Sequence, residues 1–254
     1  MILFSSRTAS GPARRRWDTL ALVLALVGVL ALAACGSGSA PTAKSLIQDA
    51  QKAVNADSAF HFHMKLDHAG TTGAASLTVD VADGDAKKPS SLKGTSTVST
   101  AGSSLDVQFI SIGDQQWVLT PLSPNWMLAS QFGITLNLSK VLDPTSGVSA
   151  ILGDMQNPKN AGDDTVAGDE DCWLVEGNIP AGALAAVTGG DPNATTPIDT
   201  TACIAKNLDG KGLRQLYELI FKGIAVEGDT AQTTRTFTFS KFDESVDIQP
   251  PPQQ

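Results

Sequence analysis

The sequence predicts an α+β fold, a largely antiparallel sheet carrying two or three amphipathic helices on one face. Three observations predict it. Apolar residues alternate with polar ones in several successive runs, the signature of half-buried strands. Two stretches instead repeat at helical spacing. The connections are short and rich in Gly, Asp, Ser and Pro, as hairpins require. The composition agrees: only 17% of residues are charged, and Thr, Ser, Gly and Ala are abundant.

The chain opens with a segment of another kind. Arg14, Arg15 and Arg16 form a basic block, and Leu20–Leu32 is almost wholly Leu, Val, Ala and Gly. That is the basic and apolar pattern of a secretory signal. Its apolar part, roughly 15 residues, is shorter than the ~20 that a spanning helix needs. Leu32-Ala33-Ala34-Cys35 fits a bacterial lipobox, in which the cysteine receives diacylglycerol and becomes the new N-terminus. The expected organisation is therefore a signal peptide at 1–34, a lipidated tether at 35–42, one domain at 43–247 and a flexible Pro-rich tail at 248–254. Removing 1–34 takes away four arginines and Asp18, so 18 basic and 26 acidic residues become 14 and 25, a net charge near −11. Such a surface repels phosphate backbones and excludes nucleic acid as a partner. It also offers anionic lipid no polybasic patch, so membrane residence falls to the acyl chains on Cys35.

After the tether, Leu46, Ile47, Ala50, Ala53 and Val54 form one apolar stripe of a helix. From Phe60 the period becomes two, with Phe60, Phe62, Met64 and Leu66 alternating with His61, His63, Lys65 and Asp67. Leu77, Val79 and Val81 repeat the alternation, and "DGDAKKPSS" reads as the next turn. Strands follow around Leu92–Thr100 and Leu105–Ile112, joined at "AGSS", then "QQWVLTPL" after Gly113-Asp114. Sequential strands with short turns make an antiparallel meander, curved or half-closed.

Asp143-Pro144 reads as an N-cap with proline in the first turn, leading Val148, Ile151, Leu152 and Met155 at helical spacing. A second meander is expected near Cys172–Asn178 and Asp199–Lys206. Between these lies a short helix, Ala181–Val187, stopped by Gly189-Gly190. Phe237 and Phe239 mark the last strand. In "LRQLYELIFKG" the spacing of Leu213, Leu216, Tyr217, Ile220 and Phe221 reads as helix. Cys172 and Cys203, outside the cytoplasm, are most simply a disulfide. It would close a loop of about 30 residues, valued at roughly 3–4 kcal/mol by chain entropy.

Catalytic patterns are lacking: no nucleophile elbow, no zinc-protease helix motif and no phosphate loop occurs. His61 and His63 share a strand face at a spacing that can chelate zinc, but His68 falls on the other face, and a solvated strand face is the reading preferred. "DDTVAGDEDC" lacks the ligand spacing of an EF-hand and reads as a solvated turn. Asn137-Leu-Ser139 and Asn193-Ala-Thr195 match the glycosylation sequon formally and read as loop residues. No enzyme activity, metal or cofactor is expected.

The remaining feature is apolar surface between sheet and helices. The candidate liners are Phe60, Phe62, Val79, Val98, Val107, Phe109 and Trp117 from the sheet, and Val148, Ile151, Leu152, Leu184 and Val187 from the helices. Pattern alone favours a filled core over a cavity.

The lipobox, "SLIQDAQKAVNADSAFHFHM", "SSLDVQFISIGDQQWVL", "VLDPTSGVSAIL" and "FSKFDESVDIQPPP", in that order and spacing, resemble the LprG/LppX/LprA/LprF family of actinobacterial cell-envelope lipoproteins. The resemblance implies a strongly curved antiparallel half-barrel sheet with helices on its concave face, enclosing a hydrophobic cavity for multi-acyl lipids. It also recasts "LRQLYELIFKG" as a strand. Cys172 and Cys203 belong to no family pattern, so their pairing rests on the residues. The function implied is that of a lipoprotein anchored through Cys35 to the extracytoplasmic face of the membrane. It would bind the acyl chains of a glycolipid or lipoglycan and carry it across the envelope, with an envelope lipid transporter as a further partner. The helix at Asp143-Pro144 and the loop "PLSPNWMLASQFGI", with Trp126 and Met127, are the expected rim. The alternative is an interaction module that binds no lipid and docks on an envelope transporter, enzyme or sensor.

Overall fold

The computed structural model describes residues 40–70, 78–100, 103–132, 134, 136–166 and 170–252. Cys35, the expected signal peptide and most of the expected tether lie outside the described residues, as does Leu77. Helix α1 (Ala43–Ala56) is capped by Thr42, whose Oγ1 accepts from the Ser45 amide at 3.1 Å. Its stripe of Leu46, Ile47, Ala50 and Ala53 is buried, because those positions repeat with the helical turn.

Eleven strands follow: β1 (Ala59–Asp67), β2 (Thr78–Lys87), β3 (Ser91–Thr100), β4 (Ser103–Ile112), β5 (Gln115–Leu119), β6 (Met127–Leu128), β7 (Gln156–Val166), β8 (Glu170–Pro180), β9 (Pro197–Ala205), β10 (Leu216–Lys222) and β11 (Thr234–Ser240). They form one sheet in the order β6-β5-β4-β3-β2-β1-β11-β10-β9-β8-β7. Two meanders, β1–β6 and β7–β11, are thus joined where β1 pairs with β11, Phe62 opposite Phe239 and Met64 opposite Phe237.

The expected half-barrel is not formed. The sheet is open, neither strongly curved nor closed into a barrel, for its hydrogen bonding runs in a single line from β6 to β7. Closure needs two edges able to pair. Here one edge is only two residues long, and β7 is interrupted by two register shifts.

Among the described residues the helices are few, and short after α1. Besides α1 there are α2 (Val148–Gly153) and α3 (Ala185–Thr188), with 3-10 helices at Ala129–Phe132, Leu138–Leu142 and Ala181–Leu184. The predicted helix start at Asp143-Pro144 is displaced: α2 begins at Val148, with Gly147 at its N-cap. Asp143 instead closes a local turn, accepting from the Thr145 amide at 2.7 Å. The reading of "DGDAKKPSS" as a turn also shortens, since β2 runs on to Lys87.

"LRQLYELIFKG" contains β10, and a β-bulge explains its helical look. The register with β9 shifts between Leu216 and Glu218, so Leu216 opposes Ile204 and Leu219 opposes Ala202. The extra residue turns both leucines to the same face although they are three apart, and both are buried. Cys172 and Cys203 form a disulfide across β8 and β9 with Cα atoms 5.4 Å apart. The pair is diagonal: Cys172 opposes Ala205 and Cys203 opposes Leu174, each two residues from the partner cysteine. In the other meander, Gly84 and Gly94 face each other. A methyl group at either position would come within 2.3 or 2.1 Å of the Lys93 or Asp83 carbonyl oxygen, so only glycine permits this approach.

A cavity beneath the covered face

Register divides the sheet into two faces. On one lie Phe60 and Phe62 of β1, Ala82 of β2, Ser96 and Val98 of β3, Val107 and Phe109 of β4, Val118 of β5, and Phe237 and Phe239 of β11. Over the β7–β10 half, α1 and α2 fill this face with a dense core. Over the β11–β5 half the cover is thinner. It consists of the segment from Ala129 to Leu142 and the edge of α3, and beneath it lies a cavity of about 190 Å³.

The residues named from the sequence divide accordingly. Phe60, Phe62, Val79, Val98, Val107, Phe109, Trp117 and Val187 border the cavity. Val148, Ile151, Leu152 and Leu184 do not; they are at most 5% exposed and belong to the core. Sequence reasoning missed Met64, Phe237 and Phe239, although the same alternation marks them. It also missed the rest of the cover beyond the expected rim loop, Leu136, Leu138 and Val141, where short 3-10 turns carry no lasting period.

The described lining contains no charged side chain. Its polar members are satisfied: Ser96 Oγ donates to the Val81 carbonyl at 2.9 Å, and Gln116 bonds the covering segment. Such a surface has nothing with which to attack, protonate or coordinate a ligand. It can exclude water from apolar groups, at about 0.8 kcal/mol for each methylene buried. The expected rim is split. Ala129 and Ile134, at the end of the loop, cover the cavity, whereas Trp126 borders a hollow on the opposite face with His61, Asp85 and Lys93.

On that open face His61 and His63 meet the carboxylates of β2. His61 Nδ1 lies 2.9 Å from Asp85 Oδ1, and His63 Nδ1 lies 3.2 Å from Asp83 Oδ2. Among the described residues no group of His, Cys, Asp and Glu is arranged to hold a metal ion. The acidic run becomes strand residues of β7 and β8, with Asp163 paired to Lys206 at 2.9 Å; residues 167–169 lie outside the described set. Asn137 caps a 3-10 helix by accepting from the Ser139 amide, and Asn193 bonds Asp191 in a turn.

The family model described as LppX_LprAFG lipoprotein matches residues 42–248. The chain is 28% identical over 245 residues to the lipoarabinomannan carrier protein LprG of Mycobacterium tuberculosis and of Mycobacterium bovis, covering 91% of this chain and 94% of theirs. The fold is similar to the crystal structure of LprF from Mycobacterium bovis (TM-score 0.66, 18% identity, 83% of this chain and 97% of that one). It is also similar to that of LppX from Mycobacterium tuberculosis (TM-score 0.57, 21% identity, 82% and 98%). The chain therefore belongs to the LppX_LprAFG lipoprotein family, as a lipid-associated lipoprotein of the cell envelope anchored at the extracytoplasmic face of the membrane.

Proposed function

We propose that the domain takes the acyl chains of a glycolipid or lipoglycan into the cavity under its covered face and carries them across the envelope, tethered through lipidated Cys35. The observation that supports this reading most is the lining: some twenty residues from six neighbouring strands and their cover converge on one space without a charged group. A two- or three-chain lipid cannot cross water unshielded at a useful rate, because each exposed methylene costs about 0.8 kcal/mol. The name of the LprG relatives points the same way, since they are described as carriers of a lipoglycan.

Size sets a condition on the mechanism. At about 190 Å³ the cavity is closer to the ~150 Å³ space that accepts a benzene ring than to the space needed by a diacyl lipid. Loading therefore requires the Ala129–Leu142 segment to lift from the sheet. The cavity then grows along the row of Phe62, Val98 and Val107, with the headgroup left at the mouth.

The same small volume favours a second reading, an interaction module that binds no lipid and docks on an envelope protein. Transfer from donor vesicles separates the two. Protein exposed to vesicles bearing a radiolabelled diacyl glycolipid should retain label after the vesicles are removed, approaching one lipid per chain. No retained label, with the protein folded, would leave the module reading.

A further inference from the structure

Residues 115–139 contain no Asp, Glu, Lys or Arg, although a chain 17% charged would place about four charges in such a stretch. The run comprises β5, β6, the loop between them, the 3-10 helix at Ala129–Phe132 and the start of the cover. It therefore makes up one whole edge of the sheet. One side of it looks inward, where Ala129, Leu136 and Leu138 border the cavity. The other side carries apolar residues into solvent: Leu122 is 85% exposed, Leu128 42% and Phe132 40%. Three of the six large exposed hydrophobics among the described residues thus fall in this one run.

We propose that this uncharged edge is a lip that inserts into the outer leaflet of the bilayer to which the protein is anchored. The occupant follows from charge and continuity. The chain is strongly acidic, with a formal charge of −8, so most of its surface is repelled by anionic headgroups; this edge is not. Leucine and phenylalanine at a loop tip partition into the headgroup–acyl boundary without a charge to desolvate. The same backbone that would touch the bilayer also covers the cavity, so insertion and lifting of the cover are one movement. That coupling rests on the carrier reading, whereas contact with the bilayer does not.

The lip also fixes the posture of the domain. The N-terminal end of the domain is held at the opposite edge, where Asn160 of β7 donates to the Pro41 carbonyl at 3.0 Å. Eleven strands at about 4.8 Å spacing put the two edges roughly 48 Å apart, and the few residues between Cys35 and Pro41 reach only about 20 Å. A domain touching the membrane at one edge and held within about 20 Å of it at the other lies roughly along the surface.

Leu122→Cys in the acylated protein, labelled with an environment-sensitive nitrobenzoxadiazole probe and reconstituted in phosphatidylcholine vesicles, tests this, with Leu128→Cys as a second probe site. Blue-shifted emission, quenched by nitroxide-bearing lipids and lost on adding Phe132→Asp, is the expected result. Emission at the water value from both sites, unquenched, overturns the lip. Glycolipid uptake, measured on the same samples by retained radiolabel, reports the carrier reading separately. Uptake with a probe in water removes the lip alone, and an inserted probe without uptake leaves the lip and removes the carrier.

Discussion

Gln116 holds Leu138 and Leu136 with the two ends of one amide: its Oε1 accepts from the Leu138 amide at 3.0 Å while its Nε2 donates to the Leu136 carbonyl at 2.8 Å. This pair of bonds pins the cavity cover to β5. Ser139 adds a further tie, its hydroxyl donating to the Gly113 carbonyl at 2.8 Å.

Loss of the amide should therefore act on the cover before it acts on the fold. Gln116→Ala removes both bonds at a cost of about 1–3 kcal/mol. Glycolipid exchange with vesicles should become several-fold faster, as measured by the rate of radiolabel transfer. An unchanged rate in a folded variant would show that the cover is not the gate.

Two valine-to-tryptophan variants should behave differently. Val98 borders the cavity, so Val98→Trp has space to enter and should lower lipid retention with little loss of stability. Val148 is 5% exposed in the dense core, where added volume forces neighbours off their rotamers at about 1–3 kcal/mol. Urea unfolding of both variants, beside label retention, separates filling the site from overpacking the fold. Equal destabilisation would contradict the division between cavity and core.

The disulfide spans 31 positions and both its cysteines are buried. Replacing both cysteines with alanine should cost about 3–4 kcal/mol through the unfolded chain. The midpoint of urea unfolding under oxidising conditions reports it. A loss below ~1 kcal/mol would mean that the reduced chain stays compact around β8 and β9.

Stability should also carry a pH signature from Asp57, which caps α1. Burial, at 1% exposure, raises its pKa from 3.8, against the lowering effect of bonds from Lys211 at 3.1 Å and Gln215 at 3.2 Å. A carboxyl with a raised folded-state pKa holds more protons folded than unfolded, so its contribution to stability grows as pH falls from neutral toward 3.8. Asp243, lowered by bonds from Lys211 and Ser58, acts oppositely, its contribution being lost only as pH falls through and below 3.8. Relative to Asp57→Asn, the natural protein should gain stability between pH 7 and pH 4 by urea titration. A difference constant with pH would contradict this assignment.

What could be read from the sequence was what had a period. Helix α1 and strand β1 each show an unbroken one, because α1 buries one stripe along its length and β1 turns one apolar face to the covered side of the sheet. The sheet side of the cavity was legible for the same reason, since parity places Phe60, Phe62, Val107 and Phe109 together. Strand β7 was not legible: nearly all its residues are exposed and two register shifts break it, so no alternation exists to find. In β10 a bulge spaced Leu216 and Leu219 as a helix would. The part of the cover from Leu136 to Val141 was missed because its turns are too short to repeat, and helical residues such as Ile151 and Leu152 were assigned to the cavity although they belong to the dense core beside α1. Openness of the sheet depends on whether its edges pair, which no local pattern records.

The central claim is that this domain carries acyl chains under its covered face. Native mass spectrometry of the protein purified from its own envelope-bearing host, followed by lipid extraction, tests it most directly. The account predicts a stoichiometric multi-acyl lipid bound to the natural protein and absent from Val98→Trp. A clean protein mass with no bound lipid, and no uptake of added glycolipid, would contradict it.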